Sequence, residues 1–166
     1  NENVKIVVSD IPHYSLKEQI LLPSIIKREK VDLMHFPHFN VPVFYQGKYV
    51  VTIHDLIKHT SKGMGTTTRS PWLYWLKYLG YKFVFEKAVK RAEKIIVPSQ
   101  FVKDEVVKEY DIRPEKVVVT YEGVNESIKK KVLSIKEKDD KIIKKYNIGK
   151  PYLLYVGSVY PHKNIE

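Results

Sequence analysis

The sequence runs to 166 residues, 43% of them hydrophobic, with no cysteine and a formal net charge of +10. That is enough chain for one full domain with a buried core. It excludes a disulfide framework and a thiolate metal site, and no apolar run approaches the roughly 18 residues of a membrane-spanning helix. Residues 1–3 (NEN) lack the basic and apolar regions of a signal peptide, so a cytoplasmic protein is the default expectation. The charge is unevenly placed: residues 127–150 hold nine lysines against three acidic side chains. Such a run is a solvated helix or linker, or a patch for an anionic partner.

Residues 4–8 (VKIVV) read as a buried strand. Residues 15–29 read as a helix, with Leu16, Ile20, Leu21, Ile25 and Ile26 at near-helical spacing and Pro23 inside it. Residues 31–35 and 49–54 follow as short strands. Residues 57–70 carry two glycines and little apolar material, which predicts a mobile loop, poorly ordered over 59–70. Pro71 suits the first position of a long helix reaching about Ala92. Its Trp72, Trp75, Leu76, Leu79, Phe83 and Val89 make an apolar stripe, read first as core packing and second as a membrane contact. Residues 94–97 form a strand. Ser99 caps a helix to about Tyr110, residues 117–120 form a strand leading to Gly123, residues 138–146 a helix, and residues 152–156 (YLLYV) a buried strand ending at Gly157.

Strands alternating with helices predict an α/β, Rossmann-like domain with a mainly parallel sheet. Continuous apolar runs predict strands covered on both faces. The stretch 124–137 is the candidate boundary, giving a first domain over 1–126 and, over 127–166, a linker and the start of a second.

In open parallel sheets, ligands bind beyond the carboxyl ends of the strands. Those ends carry His35 and His38, His54 and Asp55, Ser99, Gly123, and Gly157 with Ser158; His162 follows the last. A lone histidine is usually structural, but repetition at strand ends favours a site. No GxGxxG, P-loop, Asp-x-Asp pair or G-x-S-x-G elbow occurs. His35 and His38 flank a proline and have no third ligand in view, so zinc is not expected.

Several of these segments resemble glycosyltransferase family 4, in its mannosyltransferase-like branch. They are DLMHFP at 32–37, Pro42, VVTIHDL at 50–56, AEKIIVPS at 92–99, KVVVTYEGVN at 116–125 and YLLYVGSVYPHKNI at 152–165. The likeness covers about residues 31–166 in the family's order. It implies the N-terminal half of a GT-B fold, truncated early in the nucleotide-sugar domain. The family's glycine-rich loop after its first strand and its pair of glutamates with seven residues between them are not in this sequence. Asn125 stands where Asp is common, Val102 where Ser is common, and His162 where Arg is usual.

The resemblance implies a retaining transferase that moves a sugar, mannose in that branch, from a nucleotide-sugar donor to a glycan or lipid-linked acceptor. Peripheral contact with an anionic membrane is compatible with it, and no nucleic acid is expected. It implies a catalytic His54 at the donor sugar, and Gly157 and Lys163 at the donor phosphates. It also implies His35 and His38 on the acceptor side, with Asp55, Ser99 and Gly123 in support. A lysine past a glycine turn and backbone N–H groups at a helix start would neutralise a departing diphosphate. With Asp-x-Asp missing, no metal or other cofactor is expected. Because the donor site is incomplete in this sequence, the chain alone is expected to be inactive. The competing reading is a basic α/β module that binds anionic membrane or nucleic acid through Lys129–Lys131 and through Lys82, Lys87, Lys90 and Arg91. A nucleotide-sugar epimerase of related fold would need a different site.

Overall fold

Ser15 starts the first helix. Its hydroxyl accepts from the Glu18 amide at 3.1 Å, and helix α1 (Leu16–Arg28) follows with Glu18 in its first turn. This Ser-x-x-Glu pattern satisfies backbone N–H groups that a helix start otherwise leaves open. The protein's structure, a computed structural model, describes residues 3–60, 71–134, 143–149, 151–158, 163 and 165. Along the chain after α1 come β1 (Met34–Phe36), β2 (Tyr49–Thr52), α2 (Ile57–Thr60), α3 (Pro71–Arg91), β3 (Lys94–Val97), α4 (Gln100–Tyr110), β4 (Val117–Val119) and α5 (Glu126–Ser134).

Among the described residues, the four strands form one parallel sheet in the order β1-β2-β3-β4. Its register aligns Phe36, Val51, Ile95 and Val117 across all four strands. All four side chains are buried, and against this row pack Phe85 and Val89 of α3 and Val106 of α4. Phe85 stacks on Phe39 on one side and on Tyr110 on the other. The Tyr49 hydroxyl, at the start of β2, donates to the Ala88 carbonyl at 3.0 Å and pins the end of α3 to the sheet. Burial pushes that phenol up to about 12.

The opposite row behaves differently. Burial alternates along β2 and β3, so one face is covered and the other is partly open. The expectation of strands covered on both faces does not hold, because all of that packing falls on a single face.

Three apolar segments depart from their predicted roles. Residues 4–8 form no strand, and their side chains are exposed. Lys5 pairs with Glu29 at the end of α1, but no strand in the described residues ladders with this run. Residues 152–156 are likewise extended outside any sheet, with Leu153 and Val156 fully open to solvent. In α3, Trp72, Trp75, Leu76, Leu79 and Phe83 point outward, and of the predicted stripe Val89 alone is buried. The buried face of this helix is instead Phe85, Ala88 and Val89, with Tyr81 packed against it. The helix is apolar on most sides, so spacing alone selected the wrong face. In α1, too, Leu16, Ile20 and Leu21 are exposed while Leu22 and Ile26 pack inward.

Residues 57–60, read as loop, are the turn of helix α2; residues 61–70 lie outside those described. Of the predicted helix over 138–146, residues 143–145 are helical and 138–142 lie outside the described residues. The chain divides into two compact units, Asn1–Tyr121 and Glu122–Glu166.

Candidate functional site

In a parallel sheet every strand points the same way, so the segments leaving β1 and β2 emerge at one edge. There the first unit gathers three of its histidines. His35, within β1, lies opposite Val50 on the open face, and its Nε2 is 2.9 Å from the Thr52 hydroxyl of β2. His54, two residues past β2, places its Nε2 3.1 Å from the Pro37 carbonyl. A carbonyl only accepts, so Nε2 is the donor in this contact. His54 thus ties the exit of β2 to the exit of β1. His38 follows, its ring against Phe39 and edge-on to Tyr14. All three histidines are exposed to solvent.

Two devices fix this edge. The first holds the backbone around His54. Before it, the Ile53 amide continues the ladder to the Ile96 carbonyl at 2.9 Å. After it, Asp55 accepts from the Ile57 amide at 3.0 Å and starts α2. His59 of α2 then plugs between two phenols, with the Tyr110 hydroxyl 2.5 Å from Nε2 and the Tyr81 hydroxyl 3.0 Å from Nδ1. A neutral imidazole donates from one nitrogen and accepts at the other, so one phenol accepts and the other donates. Burial, helped by the nearby Lys82 and opposed by Glu109, holds the His59 pKa below its ordinary value. Burial also raises both phenols.

The second device holds the loop over 37–48. This connects two parallel strands without a helix, which is unusual. It is fixed instead by Val41, Pro42 and Tyr45 in the core and by α1. Buried Glu18 accepts from Asn40 Nδ2 at 2.9 Å and from the Tyr14 amide at 2.7 Å. Gln19 accepts from the Val43 amide at 2.7 Å. Near its end, a Cβ added at Gly47 would lie 2.6 Å from Cζ of the buried Tyr45, so a larger residue there must displace that ring.

The predicted site residues therefore fall into two groups. His35, His38, His54 and Asp55 come together at one sheet edge. Ser99 caps α4 by accepting from the Val102 amide at 3.2 Å, and Val102 itself is core. Gly123, Gly157 and Lys163 belong to the second unit. There the Tyr155 hydroxyl donates to the Ser158 carbonyl at 2.9 Å, closing a turn around Gly157, and Lys163 is exposed. Asn125 caps α5, accepting from the Ser127 amide at 2.9 Å. Asp and Asn cap about equally well, which removes the structural penalty of that departure.

The sequence reading missed Glu18, Asn40, Thr52 and His59. The Ser15-x-x-Glu18 capping pattern was a visible signal for the first. The others are recognisable only through partners distant in sequence. Among the described residues, no cluster of three or more metal-ligating side chains forms, and no helix is long and apolar enough to cross a membrane.

The profile of Glycosyltransferase Family 4 matches residues 3–128. The chain is 27% identical over 150 residues to the O-antigen chain mannosyltransferase RfbU of Salmonella typhimurium, covering 89% of this chain and 34% of that protein. A crystal structure of a glycosyltransferase from Rickettsia africae ESF-5 aligns with a TM-score of 0.47 and 20% identity, over 89% of this chain and 36% of the other. The chain thus spans about a third of the length of these relatives.

Proposed function

Because the chain belongs to glycosyltransferase family 4, we propose that it supplies the acceptor side of a retaining transferase. In this reading, a sugar passes from a nucleotide-sugar donor to a glycan or lipid-linked acceptor. The likeness to a mannosyltransferase favours mannose. One observation carries the reading: His54, held against Pro37 at the carboxyl edge of the parallel sheet, with His35 and His38 beside it.

Transfer builds positive charge at the anomeric carbon and negative charge on the departing diphosphate. Polar groups fixed beforehand lower that barrier because they need not reorganise. His54 has this character, since its ring is oriented by a backbone carbonyl and its backbone by Ile53 and Asp55. We assign His54 to the transferred sugar and His35 and His38 to the acceptor. Gly157 and Lys163 take the diphosphate, in a leaving-group strategy that relies on lysine and backbone N–H groups rather than a metal.

The test is His54→Ala in an enzyme that carries this chain together with a complete nucleotide-sugar domain, assayed against a panel of nucleoside diphosphate sugars. Loss of a contact made in the transition state should cut kcat and kcat/KM together, by about 10²–10³-fold. The side chain is exposed, so the thermal midpoint should barely move. Near-normal turnover, or a loss explained by unfolding, would remove His54 from the chemistry.

A further inference from the structure

The outward face of α3 changes character along its length. Trp72, Trp75, Leu76, Leu79 and Phe83 recur every three or four residues, which places them in one line along the helix. Trp72 is 66% exposed, Leu76 61% and Leu79 62%. One turn later the same line continues as Glu86, Lys87 and Lys90, an ordinary solvent face. The apolar part adjoins a groove of about 750 Å³ between α3, the start of α1 and the loop after β1, lined by Leu16, Val43, Phe44, Gly80 and Phe83. A Cβ on Gly80 would meet nothing within 4 Å. Leu16 and Phe44 are themselves exposed, so the apolar surface extends from one helix to the other.

Along the sequence the charge of this stretch is positive, although Lys82 pairs with Glu109 of α4 at 3.0 Å. From residue 57 to residue 85 the sequence contains five Lys or Arg and no Asp or Glu. Lys77 borders the groove, and the Lys87 ammonium sits 5.5 Å from the centre of the Phe83 ring, its chain running beside the apolar face. Tryptophan and leucine on one side of a helix, with lysines able to reach past them, is the make-up of a segment lying in the headgroup region of a bilayer. A second copy of this chain would set +10 against +10, whereas an anionic bilayer complements both the apolar and the charged parts.

We propose that the first four turns of α3, with the adjoining groove, form a docking surface for an anionic lipid bilayer, into whose interface Trp72, Trp75 and Leu79 insert. This requires neither donor nor acceptor, so its test and that of His54 fail separately.

Trp72 and Trp75 are the two tryptophans of the sequence, so their emission reports on this face. The protein is mixed with vesicles of phosphatidylcholine alone or with phosphatidylglycerol added. Co-sedimentation and tryptophan emission are then followed. We expect binding at least about tenfold tighter to the anionic vesicles, weakening with salt, with emission shifted to the blue. Trp75→Glu and Leu79→Glu should each weaken binding at least about tenfold with unchanged far-UV circular dichroism. Lys77→Gln should cost about fivefold, while neutralising Lys129 and Lys130 should leave the emission shift intact. Four results would each overturn the proposal: no vesicle binding; binding with unshifted emission; binding that survives both glutamate variants; or tryptophans already shielded from acrylamide without lipid, as a dimer or a covering segment of chain would make them.

Discussion

Ile95 and Leu153 are both aliphatic residues inside short apolar runs, KIIV in one case and YLLYV in the other. Ile95 is fully buried in β3, with Val51 and Val117 on either side. Leu153 is fully exposed in an extended segment of the second unit, which has no strand among its described residues. The difference lies in the neighbours. A strand leaves N–H and C=O groups on both edges and side chains on both faces, and these are satisfied only by another strand and a covering layer. β3 has β2, β4, α3 and α4 around it. Residues 4–8 repeat the lesson inside the first unit, where an apolar run joins no strand and stays exposed.

The largest effect should come from emptying the packed member of that pair. Ile95→Ala removes a side chain with no solvent contact and should destabilise the first unit by about 2–5 kcal/mol. Leu153→Ala should stay within about 0.5 kcal/mol. Chemical denaturation of both variants checks this, and comparable losses would mean that residues 152–156 are packed in solution.

This contrast also explains what was legible beforehand. The helices from Leu16, Pro71 and Gln100 and the strands over Lys94–Val97 and Val117–Val119 were readable, because caps, prolines and short apolar runs are local signals. So was the gathering of His35, His38 and His54, since strand ends in a parallel sheet share an edge. The inward face of α3 was not readable, because Phe83 and Phe85 are equally apolar and only the sheet decides between them. The Glu18–Asn40 and His59–Tyr110 pairs join residues far apart in sequence, and no spacing rule connects them.

Glu18 sharpens the comparison from the polar side. It is 6% exposed, and its carboxylate serves both Asn40 and the Tyr14 amide. Glu18→Ala strands both donors and should cost about 1–3 kcal/mol. The loop over 37–48 should also become easier to cleave, which limited proteolysis would detect. Glu18→Gln keeps one accepting oxygen and should recover part of the loss. Equal effects from the two variants would show that the carboxylate acts as filler rather than as the acceptor that holds the loop.

The smallest expected effect is a pH dependence confined to the packed unit. His59 sits half-buried between Tyr81 and Tyr110, and its pKa is lowered chiefly by burial. The unfolded chain, with an ordinary imidazole near 6.5, therefore takes up the proton more readily than the folded one. Stability is complete above that value. It declines as pH falls through it, and the decline ends below the lowered folded value, where both states are protonated. Protonation also converts the accepting nitrogen into a donor, so the phenol that donated to it must turn away. The thermal midpoint of the first unit should fall on acidification from pH 7 towards 5. His59→Gln, which retains a donor and an acceptor but does not titrate, should be less stable at pH 7 yet show a flatter profile. An unchanged slope in that variant would assign the acid sensitivity to other groups and leave His59 as packing between α2, α3 and α4.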